Sequence, residues 1–440
     1  MMLLGPVLTA HAQTGIREIH ASVTITNSGS YKLVRNVSGF FTPIIVAAND
    51  VTIDLNGFQV TSQGLFPPFG PAILQQPGFR NLAVRNGSLF SADSHGLQAV
   101  GRGTKVESVN VRNCARAAIL VGDDARIFGC IIMSNTVSAS AAVVQTGSGS
   151  FVEQVVLIGN TINTGAFVSV GSSSLIRDVA LHGNQITGAS GQGIRVGAGS
   201  LIEQVTVHGH QAPAGSFTGI QSLGGDGLSL VSVAVFSNTA QQASYGVDVS
   251  GGANIRGILA GRNNSTSANP GIGVVTRGTA QLTAVLAVRN SGNEGTGWQS
   301  HGGRGVAVFS AANSHFGFHM ISNTTIDAGL SVSNGWRGFN LAANNRVENS
   351  LAAGNGGSAP GGEEGGFRTT GNRNILADNH SVLNRRGFVI NGLNNFVHAN
   401  SASTNVSGNF IVGGGNNVGA ISVKPGYLFN STNPWTNFDL

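Results

Sequence analysis

Adjacent carboxylates are the first residues in this chain whose types could do chemistry. Asp123 and Asp124 are neighbours, and Glu363 and Glu364 stand side by side in a glycine-rich stretch. Two carboxylates can supply the acid and the base that cleave a glycosidic bond. The alternative for Asp123 and Asp124 is a turn, because they align with the serine-rich corner at residues 171 to 174. All four carboxylates are therefore weak catalytic candidates.

Aromatic and basic residues form a second group. His315, Trp336 and Arg386 each lie two residues after an asparagine, with more arginine beside them. Flat rings and guanidinium groups suit the faces of sugars and the carboxylates of uronic acids. The alternative is that these side chains shield a buried stack of rings. The sequence predicts a polysaccharide-binding ridge with these substrate-binding residues: Trp298, His301, Arg304, His315, Trp336, Arg337, Arg385 and Arg386.

Histidine and cysteine were considered as metal ligands. His182 and His208 occupy matching places in neighbouring repeats, but no third ligand recurs with them, so we expect a stack of polar rings and no metal site. Cys114 and Cys130 are the only cysteines. They form either a disulfide in an oxidising compartment or two buried thiols. No cofactor is identified from these residues.

The elements that must position these groups belong to a repeat. The stretch from Asn334 to Asn355 recurs, loosely rewritten, over most of the chain. Two columns run in register through five units, namely Phe318, Phe339, Phe367, Phe388 and Phe410, and Asn323, Asn345, Asn374, Asn395 and Asn417. The asparagine that opens the unit can be followed much further: Asn56, Asn86, Asn113, Asn135, Asn160, Asn184, His210, Asn238, Asn264, Asn290, Asn313, Asn334, Asn355, Asn384 and Asn405. Their spacing averages about 25 residues, which is the period of a solenoid.

The residues within each unit indicate strands. Apolar and polar positions alternate, as in Val205-Thr206-Val207, and the leucine spacing and helix of leucine-rich repeats are missing. We therefore predict an all-β parallel solenoid of about 15 coils, because repeats of this period stack one coil per unit. Stacked asparagine side chains would hydrogen-bond along the rod, and the phenylalanine column would form a ring stack inside it.

Composition and charge agree with a rod of strands and corners. Charged residues make up only 10% of the chain, and glycine accounts for 65 of its 440 residues. The net charge of +5 is modest and no basic run occurs, so no nucleic-acid partner is expected.

The first residues predict the compartment. Met1 to Ala12 contains a short apolar run followed by Ala10-His11-Ala12, which fits the cleavage pattern of a secretory signal, although the usual positive charge is absent. It is either the end of a signal peptide or an apolar N-terminal scrap, and the first alternative is favoured. No later segment is apolar enough to span a membrane. The prediction is a secreted or periplasmic protein.

Departures from the repeat suggest the domain limits. After residues 1 to 12, we expect a cap and lead-in at residues 13 to 48, the solenoid at residues 49 to 420, and a closing segment at residues 421 to 440. Three segments are expected to leave the rod as loops, namely Gln63 to Gly78, Asn290 to Gly305 and Gly354 to Gly366.

The start of the repeat carries a family resemblance. GSYKLVRNV at residues 29 to 37, followed by IIVAANDVTIDLNGFQV at residues 44 to 60, resembles the first coils of bacterial secreted right-handed parallel β-helix proteins of the pectate lyase-like (pectin lyase fold) superfamily. With the repeats, the likeness covers most of residues 29 to 420. It implies a right-handed coil with three parallel sheets, action on polysaccharides, and Ca²⁺ as a cofactor. No column of aspartates for Ca²⁺ is visible, and Asp123-Asp124 lacks the Gly-His-Gly and Arg-Ile-Lys partners found in polygalacturonases.

These observations lead to one expected function and one alternative. We expect a secreted β-helix protein that binds an extracellular polysaccharide, and the sequence leaves open whether it also cleaves it as a lyase or hydrolase. The alternative is a non-catalytic surface rod or adhesin. A groove that gathers carboxylates or arginines from adjacent coils would favour the first, and evenly polar faces would favour the second.

Overall fold

The computed structural model describes residues 15–63, 70–138, 141–357, 365–423 and 433–440. Over these ranges the chain consists of strands and turns without any helix, and its strands pair in parallel. They stack as a parallel β-solenoid of about 16 turns, which confirms the predicted all-β solenoid. None of the described residues belongs to a helix that could span a bilayer.

Most coils contribute two strands to the largest sheet, here called sheet 1, which bends between them. In its first row each coil pairs with the next along the rod, as Leu175–Arg177 does with Leu201–Glu203. In its second row Ala180–His182 pairs in the same way with Thr206–His208. The strands of sheet 1 are Arg17–Ile19, Gly29–Leu33, Val37–Gly39, Val51–Asp54, Gln59–Ser62, Leu82–Ser91, Lys105–Arg112, Arg126–Phe128, Ile131–Met133, Phe151–Glu153, Val156–Ile158, Leu175–Arg177, Ala180–His182, Leu201–Glu203, Thr206–His208, Leu228–Phe236, Ala253–Gly261, Gln281–Thr283, Leu286–Val288, Gly303–Val306, Phe309–Ala311, Thr324–Asp327, Leu330–Val332, Arg346–Glu348, Leu351–Ala353, Ile375–Ala377, His380–Val382, Phe396–His398, Ser401–Ser403, Asn417–Val418, Ile421–Val423 and Asn437–Asp439.

The other strands form two further sheets. Sheet 2 takes one strand from each coil, and sheet 3 is a short ladder beside six of the coils. The strands of sheet 2 are Val23–Ile25, Ile44–Val46, Ile73–Gln75, Leu97–Ala99, Ile119–Val121, Val144–Gln145, Gly165–Val170, Ser190–Val196, Ser216–Ser222, Ser244–Ser250, Gly271–Arg277, Thr296–Ser300, Phe316–Ser322, Arg337–Ala343, Phe367–Thr369, Phe388–Ile390 and Phe410–Val412. The strands of sheet 3 are Thr136–Val137, Thr161–Ile162, Gln185–Ile186, Gln211–Ala212, Thr239–Ala240 and Asn264–Ser265.

Sharp corners join these strands, and each corner uses one residue with positive φ. In one coil these residues are Gly149, Gln154 and Gly159, with φ of 67°, 53° and 60°. The residue that follows each of them is buried. Glycine and asparagine tolerate this left-handed conformation best, which explains why both are so common in the chain.

Buried asparagines at these corners form ladders along the rod. The backbone N–H of Asn313 donates to Oδ1 of Asn334 at 3.1 Å, and its Nδ2 donates to the same oxygen at 2.9 Å. Asn334 makes the same two bonds to Asn355, at 3.0 and 2.9 Å. The positions of this ladder are Asn135, Asn160, Asn184, His210, Asn238, Asn263, Asn290, Asn313, Asn334, Asn355, Asn384 and Asn405. Two shorter ladders join Asn345, Asn374, Asn395 and Asn416, and Asn379, Asn400 and Asn437.

The structure corrects some members of the predicted columns. Asn263, not Asn264, takes the ladder position. Asn56, Asn86 and Asn113 are themselves the positive-φ corner residues, so they lie outside the ladder. In the second column Asn323 is a corner residue as well, and Thr324 and Asn416 hold the positions assigned to Asn323 and Asn417.

The phenylalanine column is confirmed as a ring stack in the core. Successive ring centroids from Phe318 to Phe410 are 4.7, 4.6, 4.8 and 5.0 Å apart. The ring of Phe339 is fully buried. In the same column of sheet 2, Trp298 meets Phe318 edge-on at 6.2 Å.

One predicted loop is wrong. Residues 290 to 305 do not leave the rod, since Thr296–Ser300 is a strand of sheet 2 and Gly303–Val306 a strand of sheet 1. Asn290 and Asn313 at either side keep the ladder unbroken. The segment is a coil of ordinary length whose glycines and polar residues form the corners.

The last ladder ends on an acidic group. Nδ2 of Asn405 donates to Oδ1 of Asn409 at 2.6 Å, and Nδ2 of Asn409 donates to the carboxylate of Asp439. Asp439 belongs to the strand Asn437–Asp439, which pairs with Ser401–Ser403 of the preceding coil.

Replacing Phe339 by alanine should destabilise the fold by about 3 to 5 kcal/mol, because it removes a buried ring and leaves a cavity between two stacked neighbours. Chemical denaturation of the variant and the native protein measures the difference. Phe151, whose side chain is 47% exposed, serves as the control, and its replacement should cost less than about 1 kcal/mol. Equal effects of the two changes would contradict a stabilising ring stack.

Candidate functional site

The paired aspartates occupy a corner of the solenoid. Asp124 has a φ of 51°, and its carboxylate pairs with Arg102. Oδ1 of Asp123 accepts a hydrogen bond from the backbone N–H of Ser148 at 2.8 Å. Both carboxylates thus make the local contacts of turn residues. Glu363 and Glu364, the other candidate catalytic residues, lie outside the described residues.

An aromatic cluster stands at the corner that leads into sheet 2. We define it as His315, Phe316, Trp336 and Arg337. The ring centroids of His315 and Trp336 are 4.2 Å apart, and Trp336 meets Phe316 edge-on at 5.9 Å. The guanidinium carbon of Arg337 lies 5.4 Å from the centre of the Phe316 ring. Trp336 is partly exposed, while Phe316 beneath it is buried.

The exterior of sheet 2 continues this cluster as a row of polar side chains. Gln299, His319, Asn340 and Arg368 are paired in register on successive coils. Nη1 of Arg337 donates to Oδ1 of Asn340 at 2.9 Å, which ties the cluster to the row. Neighbouring strands of a sheet lie about 4.8 Å apart, so these four residues span about 14 Å along the rod.

Two further arginines lie at the same corner. Arg385 and Arg386 directly precede the sheet 2 strand Phe388–Ile390. The backbone oxygen of Arg386 accepts from Gly366, and Gly365 in turn accepts from Gly338, so Arg386 lies two coils beyond the aromatic cluster. Nε of Arg386 is buried and has no hydrogen-bond partner in the part of the chain that the structure describes.

Two predicted ridge residues lie elsewhere. Trp298 is 1% exposed, and its Nε1 donates to Oγ1 of Thr276 at 3.0 Å. Its ring occupies the space left by Gly305, where an added Cβ would come within 2.7 Å of it. Arg304 lies on sheet 1, where it pairs with Asp327 at 3.8 Å. Trp298 therefore belongs to the core and Arg304 to another face.

The histidines of this face have lowered pKa values. Burial is the first cause for His319, and the positive charges of Arg337 and His301 add to it, which brings its pKa to about 4. Burial also lowers the pKa of His301, together with Arg277 and against the opposing effect of Asp248. Burial lowers the pKa of His315, and the carboxylate of Glu294 acts in the opposite direction. His319 is thus neutral at neutral pH, and the positive charge of the face comes from arginine.

The site includes residues that the sequence analysis missed. Phe316, His319, Asn340 and Arg368 were not predicted as binding residues. Three of them directly follow the core rings Phe318, Phe339 and Phe367, and neighbouring residues of a strand face opposite sides. The phenylalanine column therefore already contained the signal for an outward row.

The other candidate ligands form no metal centre. His182 and His208 stack as predicted, with centroids 4.9 Å apart. No group of three histidine, cysteine, aspartate or glutamate side chains comes together within the described ranges. Cys114 and Cys130 are free and buried, and burial raises the pKa of their thiols to about 12 and about 11, which leaves both as unreactive core residues.

The depressions on sheet 1 offer weaker sites. One of about 400 Å³ contains Glu153, whose buried carboxylate is held by Arg126 at 3.6 Å and by Arg177. A second of about 580 Å³ is lined largely by small residues, such as Gly227 and Ala253. Neither offers an exposed ring beside unengaged charge, so the sheet 2 face remains the better candidate.

Comparison with models of known protein families gives no match, and comparison with curated proteins gives no significant match either.

Acid should destabilise the protein partly through His319. Its folded pKa is about 4, against a model value of 6.5, so between these values the unfolded chain binds a proton that the folded chain does not. Stability therefore rises with pH across this window, and the effect of His319 is constant above and below it. His210 acts in the same sense, since burial lowers its pKa to about 3.

Replacing His319 by asparagine should flatten this part of the pH dependence, leaving the contribution of His210. Chemical denaturation at a series of pH values between about 4 and 6.5 measures the slope. Gln299→Asn, a change in the same row without a titrating group, should leave the slope as it is. A slope that His319→Asn does not alter would show that His319 ionises freely in the folded chain.

Proposed function

We propose that this protein is a secreted β-solenoid that binds an acidic extracellular polysaccharide along the exterior of sheet 2. The observation that carries the proposal is the sequence of side chains on neighbouring coils: the aromatic cluster, then Asn340 and Arg368, then Arg385 and Arg386. A stacked ring and several arginines along one line suit a chain of sugars that carries carboxylates.

The geometry of this face favours a long ligand. Its groups repeat at the spacing of the coils, about 4.8 Å, and extend along the rod instead of converging on one point. A polymer can contact several of them at once, whereas a small molecule would reach only two or three. Asn340 is 5% exposed and positions Arg337 through its hydrogen bond of 2.9 Å. Part of the face is therefore ordered before a ligand binds.

Two observations from the sequence support the compartment and the ligand class. The segment from Met1 to Ala12 fits a secretory signal. Residues 29 to 60 resemble secreted proteins of the pectate lyase-like superfamily, and membership of that superfamily is part of the proposal.

The proposal is limited to binding. Among the described residues, Asp248 lies on this face but its two oxygens accept from Arg277 at 3.0 and 3.1 Å. A carboxylate held in this way is a poor acid or base, because its charge is already compensated. The face therefore provides rings and positive charge for holding a saccharide, and we assign no bond cleavage to it.

Trp336→Ala should weaken binding of an oligogalacturonate by about 1 to 3 kcal/mol, because it removes the exposed aromatic anchor. Isothermal titration calorimetry measures the change. Trp435, which is 51% exposed near the C-terminus, is the matched control, and Trp435→Ala should bind as the native protein does. Equal binding by both variants would remove Trp336 from the site, and the absence of any saccharide binding by the native protein would favour an inert rod.

The double change of Arg385 and Arg386 to alanine should weaken binding of uronate-containing chains more than binding of neutral chains, since only the former provide carboxylates for charge-assisted hydrogen bonds. Added salt should narrow this difference. A glycan array scanned at two salt concentrations measures both effects. Arg304→Ala, on sheet 1, is the control and should not change the preference. A loss that is equal for acidic and neutral chains would contradict charge recognition.

A further inference from the structure

The second row of sheet 1 presents an uncharged exterior over a long distance. Eleven successive strands, from Ile131–Met133 to His380–Val382, pair in register along it. The middle residue of each strand is buried, and the first and third face outward, as the exposure of Ile131 (38%) and Ile158 (42%) shows. No aspartate, glutamate, lysine or arginine occupies any of these outward positions. We call this surface the apolar stripe.

The lack of charge is specific to this row. On the first row of the same sheet, outward side chains of the same coils form ion pairs, such as Arg177 with Glu153 and Arg346 with Glu348. In the apolar stripe the corresponding coils carry large apolar groups instead, for example Leu286, Phe309 and Leu330. Solvent-facing sheets usually alternate apolar inside with polar outside, so an apolar outer face indicates a surface that is covered by another molecule.

The dimensions of the stripe match a protein interface. Eleven strands about 4.8 Å apart give a length of about 50 Å, and two outward columns give a width of about 10 Å. The area is therefore about 500 Å² on one molecule and about 1,000 Å² for two, which is the size at which specific interfaces begin.

We propose that the apolar stripe is the interface of a homodimer, in which two solenoids pack with these faces together. Its outward side chains form ridges at the spacing of the coils, and another copy of the stripe has ridges at the same spacing. Two such faces can interdigitate at the usual distance of about 10 Å between packed sheets. The absence of charge means that no like charges are buried opposite each other. This dimer leaves the exterior of sheet 2 open and does not depend on a saccharide ligand.

Sedimentation velocity of the full chain tests the proposal. The native protein should sediment as twice the chain mass of 44.8 kDa, at protein concentrations up to about 100 µM because an interface of this size can be weak. Leu286→Arg places a charge in the middle of the stripe and should weaken the dimer at least tenfold. Leu330→Arg should do the same and is included in case the first variant does not fold. Thermal unfolding followed by circular dichroism identifies the folded variants.

Gln281→Arg is the matched control, because Gln281 is exposed on the first row of sheet 1 in the same coil as Leu286. It should leave the dimer intact. A native protein that is monomeric throughout the concentration range would overturn the proposal, as would equal dissociation by Gln281→Arg. A monomer that binds phosphatidylcholine vesicles through Leu286 would show that the stripe meets a lipid surface instead of a second copy.

Discussion

The hydrogen bond between a corner asparagine and its counterpart on the next coil is the interaction on which this structure depends. A solenoid must turn sharply in every coil, and each turn takes a backbone N–H out of the regular strand pairing. Left unpaired in the core, such a group costs about 1 to 3 kcal/mol. Here Oδ1 of the next asparagine accepts it, and Nδ2 extends the same arrangement by one more coil. A short side chain with both a donor and an acceptor is required, which explains the preference for asparagine.

These ladders also allow coils of unequal length. Asn334 and Asn355 are 21 residues apart, whereas Asn355 and Asn384 are 29 apart, and the bonds at both steps have the same length of 2.9 Å. Because the corners stay aligned, the extra residues do not shift the strands on either side. Trp336 and Arg386 therefore remain on one line although the longer coil lies between them. The candidate binding face is a consequence of this alignment.

The sequence predicted the solenoid, the ring stack and the aromatic corner, because each rests on a residue type that recurs in register. It placed some ladder members one residue away, since Asn264 follows Asn263 directly and both types of corner residue can be asparagine. The glycines around Trp298 suggested a loop, yet one of them, Gly305, provides the space in which the ring is buried. That contact and the place of Arg304 on another sheet depend on the course of the coil through space. Single residues in a loose repeat do not reveal it.

The ladders have a direction. Every amide donates toward the C-terminal end of the rod and accepts from the N-terminal end, so their dipoles add as peptide dipoles do in a helix. The two ends of the solenoid are therefore electrically different. At one end the final donor, Asn409, meets the carboxylate of Asp439, an anion that can only accept. Asp439 thus plays the part for this rod that a charged cap plays for a helix, and it gives the last residues of the chain a role in terminating the fold.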